Sequence, residues 1–256
     1  MTSITAGKTK VRLWAVLFWL AVWELVARMI GQEILLVSPV AVVCRFLELA
    51  VTAGFWRSVA FSFSHIVCGF LLALSAGILL AALSFASSFV RDLTAPVMAV
   101  IKATPVASFV ILILIWVSSR NLSIVISFLM VLPVVYTNIL EGIRSTDSSL
   151  LEMAKVFQVP FGKRLRYIYV SQVMPFFRTA CSLSLGLCWK AGVAAEVIGI
   201  PDGSIGEKLY EAKVYLETPD LFAWTLTIIL LSAGFEKCFL FAVNRIQAGR
   251  AIHTAE

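Results

Sequence analysis

The chain has 256 residues, 60% of them hydrophobic and only 14% charged, with a formal net charge of +6. Soluble domains carry about a quarter charged residues, so with a mean hydropathy of +0.94 the composition excludes an ordinary soluble enzyme and points to an integral membrane protein. The apolar runs exceed the roughly 10-residue strands of an outer-membrane barrel, which favours helices, and the basic residues lie beside apolar segments, where they set topology rather than bind nucleic acid.

Residues 1–12 carry Lys8, Lys10 and Arg12 ahead of an apolar run, Leu13–Ile30. That run contains Glu24 and Arg28 and ends in no small-residue cleavage pattern, so it reads as a retained first helix rather than a signal peptide. The next stretch, 31–57, is half polar. Its Ser38-Pro39 start and spaced Val42, Val43, Phe46, Leu47 and Leu49 predict a short amphipathic helix on the membrane surface. Five further segments, at about 59–85, 96–117, 122–140, 176–200 and 221–244, approach the ~20 residues that cross a bilayer. The expected organisation is therefore an N-terminal tail, first helix and external amphipathic segment (1–57), a core of five spans (58–244), and a C-terminal tail (245–256).

Charge counting orients the chain. With the N-terminus inside, eleven basic residues are cytoplasmic, six of them Arg91, Arg144, Lys155, Lys163, Arg164 and Arg166. Six are external: Arg28, Arg45, Arg57, Arg120, Lys208 and Lys213. The positive-inside rule then places both termini in the cytoplasm, and with them the polar interval 148–175.

That interval is longer than a connector between spans needs. Ser149-Leu150-Leu151-Glu152 matches a capping pattern for a first short helix, with Leu150, Leu151, Ala154 and Phe157 as its apolar stripe. Pro160 disfavours helical geometry at Val159, and Gly162 permits a tight turn. Lys163, Arg164 and Arg166 then lead a second short helix that re-enters the membrane near Pro175. Such a broken basic excursion either lies on anionic headgroups or presents Val159, Pro160 and Phe161 as a knob to a soluble partner.

Charges at membrane depth face protein or water, since they cost about 2.5–3.5 kcal/mol on insertion scales. Lys190 continues an i, i+4 stripe with Ser182 and Gly186. It reads either as lining a path for an anion or as a structural ion pair with Glu24 or Glu236. Glu196 lies about 120° away around the helix, so the two are poor partners. Lys102, Thr104 and Pro105 mark a gate, a hinge or an ordinary kink, because proline removes a backbone donor. Trp14, Trp19 and Trp23 suit membrane-interface anchors, and the five cysteines show no ligand spacing.

Glu152-Met153-Ala154, the basic 164–166 segment and Pro175 are followed by Leu185-Gly186-Leu187-Cys188-Trp189 and Ala194-Ala195-Glu196-Val197-Ile198-Gly199. Together they resemble the signature of ABC-importer permeases of the nitrate/sulfonate/taurine branch, over about 59–236. Met153, Gln158 and Val170-Ser171 depart from a pattern that has Ala, Gly and Leu-Pro there. The resemblance implies an all-α type I importer permease of about six transmembrane helices, with a cytoplasmic coupling helix seated in an ATPase groove. Glu152, Met153, Ala154, Gln158, Val159, Pro160, Phe161, Gly162 and Arg164 would form that contact. Lys102, Thr104, Pro105, Ser182, Gly186, Lys190 and Glu196 would line or gate the translocation path, with Glu196 in a bracing role.

The resemblance also implies a homodimer in a prokaryotic cytoplasmic membrane, two ABC ATPase subunits and an extracytoplasmic solute-binding protein. ATP and Mg would sit on the ATPase subunits and no cofactor on this chain, which has no Gly-x-x-x-x-Gly-Lys-Ser/Thr loop. The expected substrate is a sulfonate-, nitrate- or taurine-like anion or a related small organic molecule, thiamine precursors among them. A secondary transporter would call for internal repeats. An intramembrane enzyme would need paired catalytic groups or metal ligands, and His65 and His253 supply neither.

Overall fold

A computed structural model describes residues 13–252, with side chains described up to Arg245. Lys8, Lys10, Arg12 and His253 lie outside the described residues. The elements are α1 (Leu13–Ile30), α2 (Pro39–Ala50), α3 (Ala53–Ala86), α4 (Ser88–Ala103), α5 (Val106–Ile113), α6 (Ser119–Arg144), α7 (Ser148–Val156), α8 (Phe161–Arg164), a π-helical turn (Leu165–Tyr169), α9 (Val170–Gly199), α10 (Ile205–Val214) and α11 (Thr218–Ile252). No strand occurs among the described residues. Five helices are long and apolar enough to cross a membrane, six if the bent pair α4–α5 is one span.

The centre is α6, packed against α3 on one side and α9 on the other. Lipid tails are as apolar as leucine, so close backbone approach rather than hydrophobic expulsion holds spans together. Glycines create that approach. A Cβ on Gly77 would stand 2.8 Å from Val135, and one on Gly192 would stand 2.7 Å from both Ile66 and Ser127. Enlarging either residue overpacks the site, at about 1–3 kcal/mol. Ser127 Oγ also donates to the Cys188 carbonyl at 3.2 Å, linking α6 to α9. Ile66, Phe70, Val131, Val135, Leu185 and Trp189 fill the space between the three helices.

α2 forms as its Ser-Pro start predicts. Ser38 Oγ accepts from the Ala41 amide at 3.2 Å and Pro39 takes the first helical position, where its missing donor costs nothing. Val42 is buried and Phe46 packs edge-on to Phe55, while Val43 and Leu47 face outward. α1 lies at the periphery with only Ala27 buried, and Trp23 touches Phe222 at 5.7 Å.

The segment 96–117, in which Pro105 marked a gate, hinge or kink, turns by 106° between α4 and α5. Thr104 adopts φ −82° and ψ 128°, the extended geometry imposed on a residue before proline. Two expectations need correction. Pro175 does not follow a separate short helix, because it lies inside a helical stretch, Phe161–Gly199, of 39 residues. At 1.5 Å per residue that stretch is about 58 Å long, so it projects well beyond a bilayer core and carries its basic end with it. Finally, α7 is capped by Asp147, whose carboxylate accepts from the Ser149 amide at 2.8 Å, and Ser149 is already helical.

Candidate functional site

The first group of expected site residues lies on the segment 147–169. Asp147 starts α7, Ala154 is buried, and Glu152, Met153, Val156 and Phe157 are exposed. Phe157, expected in the apolar stripe, instead faces out at the helix end. The helix stops in a Schellman arrangement: the Val159 amide bonds to the Ala154 carbonyl at 2.9 Å and the Gln158 amide to the Lys155 carbonyl at 3.0 Å. Gln158 occupies the left-handed position with φ 51°. Glycine belongs there on steric grounds, and a side chain in that region costs roughly 1–2 kcal/mol. The Gly of the consensus thus falls on the one residue of this break that the geometry strains.

Pro160 then caps α8, which runs directly through the π turn into α9. Phe161 is exposed, Gly162 has open space around it, and the Arg164 guanidinium lies 6.0 Å from the centre of the Phe161 ring. The segment therefore ends the bundle with Met153, Val156, Phe157 and Phe161 uncovered and Lys155, Lys163 and Arg166 around them.

The second group divides in two. Lys102, Thr104 and Pro105 line a cavity of about 360 Å³ at the α4–α5 break, closed on its other side by Met130, Pro133 and Leu187. Thr104 Oγ1 donates to the Val100 carbonyl at 2.8 Å. Ser182 and Lys190 stand exposed on α9 with Gly186 half-buried between them, and Ser182 Oγ donates to Glu236 at 3.5 Å. Glu24 is occupied by Arg28 at 2.7 Å. No ion pair to Lys190 forms among the described residues. The α4–α5 cavity reaches α9 at Leu187, beside Gly186, and Lys190 does not line it.

Glu196 sits apart from both and is fully buried. Its Oε2 accepts from Ser62 Oγ at 2.6 Å and from the Gly206 amide at 3.3 Å, and Ser62 Oγ in turn accepts from the Ile205 amide at 2.9 Å. The carboxyl thereby satisfies free amides in the first turn of α10, where the helix dipole favours negative character. Gly206 is necessary to the arrangement, since a Cβ there would collide with Glu196 Cβ and its backbone. Three elements, α3, α9 and α10, are pinned at one point.

Sequence reasoning missed Ser62, which lies 134 residues from Glu196 and leaves no local signal, and Gly206, whose role shows only once α10 folds back onto α9. It also treated Arg57, Arg120 and Lys208 only as topological charges. They line a cavity of about 620 Å³ with Asp202 and Glu207 at the opposite end of the bundle from 147–169. Loss of water weakens the hold of Lys208 on its proton, but bonds to Glu211 at 2.6 Å and Glu207 at 3.8 Å outweigh this and hold it above the ordinary lysine value. Nearby, Arg45 grips Asp220 through two nitrogens, one at 3.1 Å, and Glu48 at 2.8 Å, joining α2 to the start of α11.

A bundle of five or six spans, a broken helix beside a cavity and a long basic projection from α9 define a membrane transport subunit. Residues 73–249 match the family described as binding-protein-dependent transport system inner membrane component, and the chain belongs to that family. It is an ABC importer permease. Among its relatives is the SsuC permease of Bacillus subtilis, named for aliphatic sulfonates transport, 25% identical over 80% of this chain and 74% of the relative. The formylaminopyrimidine transport permease ThiX of Halalkalibacterium halodurans is 24% identical over 84% of this chain and 86% of its own length. The nitrate import permease NrtB of Synechococcus elongatus is 24% identical over 76% and 73%.

Proposed function

We propose that the chain forms half of the translocation path of an ATP-driven importer for a small anion, working as a homodimer. Its partners are two cytoplasmic ATPase subunits, which seat on the segment 147–169, and an external solute-binding protein that delivers the substrate. Both termini face the cytoplasm, and ATP and Mg belong to the ATPase subunits. One observation carries the reading: Val156, Phe157 and Phe161 are 80%, 74% and 66% exposed on a segment that projects beyond the spans. An apolar cluster rimmed by polar residues is the mark of a protein contact, and a helix continuous with α9 is a rigid lever for what happens there.

The anion is supported by the cations Lys102 and Lys190, and by two of the three relatives being named for sulfonates and nitrate. Purification of the chain with its ATPase and measurement of transport-coupled hydrolysis test the reading. Phe161→Asp places a charge in the apolar cluster and should abolish coupling while leaving a monodisperse, membrane-inserted permease. Full coupling in that variant refutes the docking role. Uptake unaffected by competing sulfonates and nitrate refutes the anion.

A further inference from the structure

At the end of the bundle that bears 147–169, α3, α6 and α9 part around a groove of about 310 Å³. Ile78, Ile139, Ile143, Leu165, Val173 and Phe177 are among its walls, and Tyr169 is the one lining side chain with a nitrogen or oxygen atom. Ile78, Ile139 and Phe177 belong to helices long and apolar enough to cross a membrane, and Leu165 and Tyr169 to the projecting basic end that leads into α9, so the groove lies where the spans give way to the projection. Two features distinguish it from ordinary lipid-facing surface. Its wall includes the π turn, a widened turn of the kind that recurs at functional sites, and Tyr169 is held there edge-on to Phe85 at 6.1 Å. The same turn also carries Arg166, two residues after Arg164 and three after Lys163. None of these three cations pairs with an acid among the described residues, and Arg164 Nε is buried without an acceptor.

An apolar recess whose wall at Leu165 is flanked in the chain by cations without an acid partner matches a molecule with a hydrocarbon chain and an anionic head. We infer that the groove holds one acyl chain of an anionic phospholipid, whose phosphate rests on Lys163, Arg164 and Arg166. Basic residues beside a span attract anionic headgroups, and the phosphate supplies the acceptor that Arg164 Nε lacks. A soluble partner meets the exposed tip of α7 and α8 instead, since the groove is recessed between spans. The lipid would sit at the joint between α8 and α9, so its presence stiffens the connection from the loop to the bundle.

The test uses the full-length permease in nanodiscs of phosphatidylcholine with phosphatidylglycerol added, the lipids retained after mild detergent extraction being counted by native mass spectrometry. The wild-type chain should retain phosphatidylglycerol in preference to phosphatidylcholine. Val173→Trp fills the groove and should lose the retained lipid. Lys163→Gln with Arg166→Gln, both at exposed positions, should lose the preference by about fivefold per charge removed. Equal retention of the two lipids by the wild type, or an undiminished preference in the charge variant, overturns the inference. A photocrosslinker at position 173 that captures a second permease or an ATPase subunit instead of lipid overturns it too. Should Val173→Trp fail to fold, the charge variant decides.

Discussion

Replacing Glu196 separates a brace from a working charge. Glu196→Leu deprives the Ser62 hydroxyl and the Gly206 amide of their acceptor, 2.6 and 3.3 Å away, in a site with no solvent access. A buried donor left unpaired costs about 1–3 kcal/mol, and Ser62 can turn toward a backbone carbonyl, so the total should be about 2–4 kcal/mol. With melting shifts of about 2–4 °C per kcal/mol for chains of this size, the variant should melt on the order of 10 °C lower. Glu196→Gln keeps one carbonyl oxygen for both donors. Its amide takes the place of Oε1, next to the Ser123 hydroxyl. That variant should lose no more than about 1 kcal/mol and retain transport. Melting is read on the detergent-purified permease and transport on the reconstituted complex. A Gln variant as stable as wild type but dead in transport would refute the bracing role, as would Leu and Gln variants of equal stability.

Gln158→Gly relieves the left-handed strain at φ 51° and should raise stability by about 1 kcal/mol with coupling intact, whereas Gln158→Val should lower both, read by melting and ATPase assays. Lys190→Gln should leave melting unchanged, since no ion pair is lost among the described residues, and should lower anion uptake in proteoliposomes; a matched loss of stability would point to a structural role instead. Hydrogen bonds from Arg45 to Asp220, and then to Glu48, raise the Arg45 pKa above the ordinary arginine value. A raised basic group stabilises fully below its unfolded pKa and loses that stability only as pH climbs through the folded one. The tie should therefore show no pH dependence from about pH 5 to 9. Arg45→Met should cost about 1 kcal/mol or less at all those values, because the guanidinium is partly exposed and screened.

The spans were legible because a bilayer demands a fixed length of apolar helix, and that demand is written locally in runs such as Leu13–Ile30. The Ser38-Pro39 start of α2 and the break before Pro105 were legible for the same reason, since caps and prolines act on their immediate neighbours. Local patterns also misled. Ser149-Leu150-Leu151-Glu152 has the form of a capping box, yet Asp147 two residues earlier begins the helix. Proline at 175 suggested an end where the helix continues.

What the sequence by itself determined is the membrane class, the position of the long apolar helices, the basic 163–166 stretch and the family motifs. Tertiary structure alone decided what depends on distant residues meeting. Ser62, Glu196 and Gly206 become one hydrogen-bonded node only when α3, α9 and α10 converge, and the α4–α5 cavity exists only because the chain bends by 106° there. Packing also showed how the 147–169 segment is built. Composition showed that it was basic and broken; the structure joins its second half, α8 and the π turn, to α9 and leaves Val156, Phe157 and Phe161 uncovered.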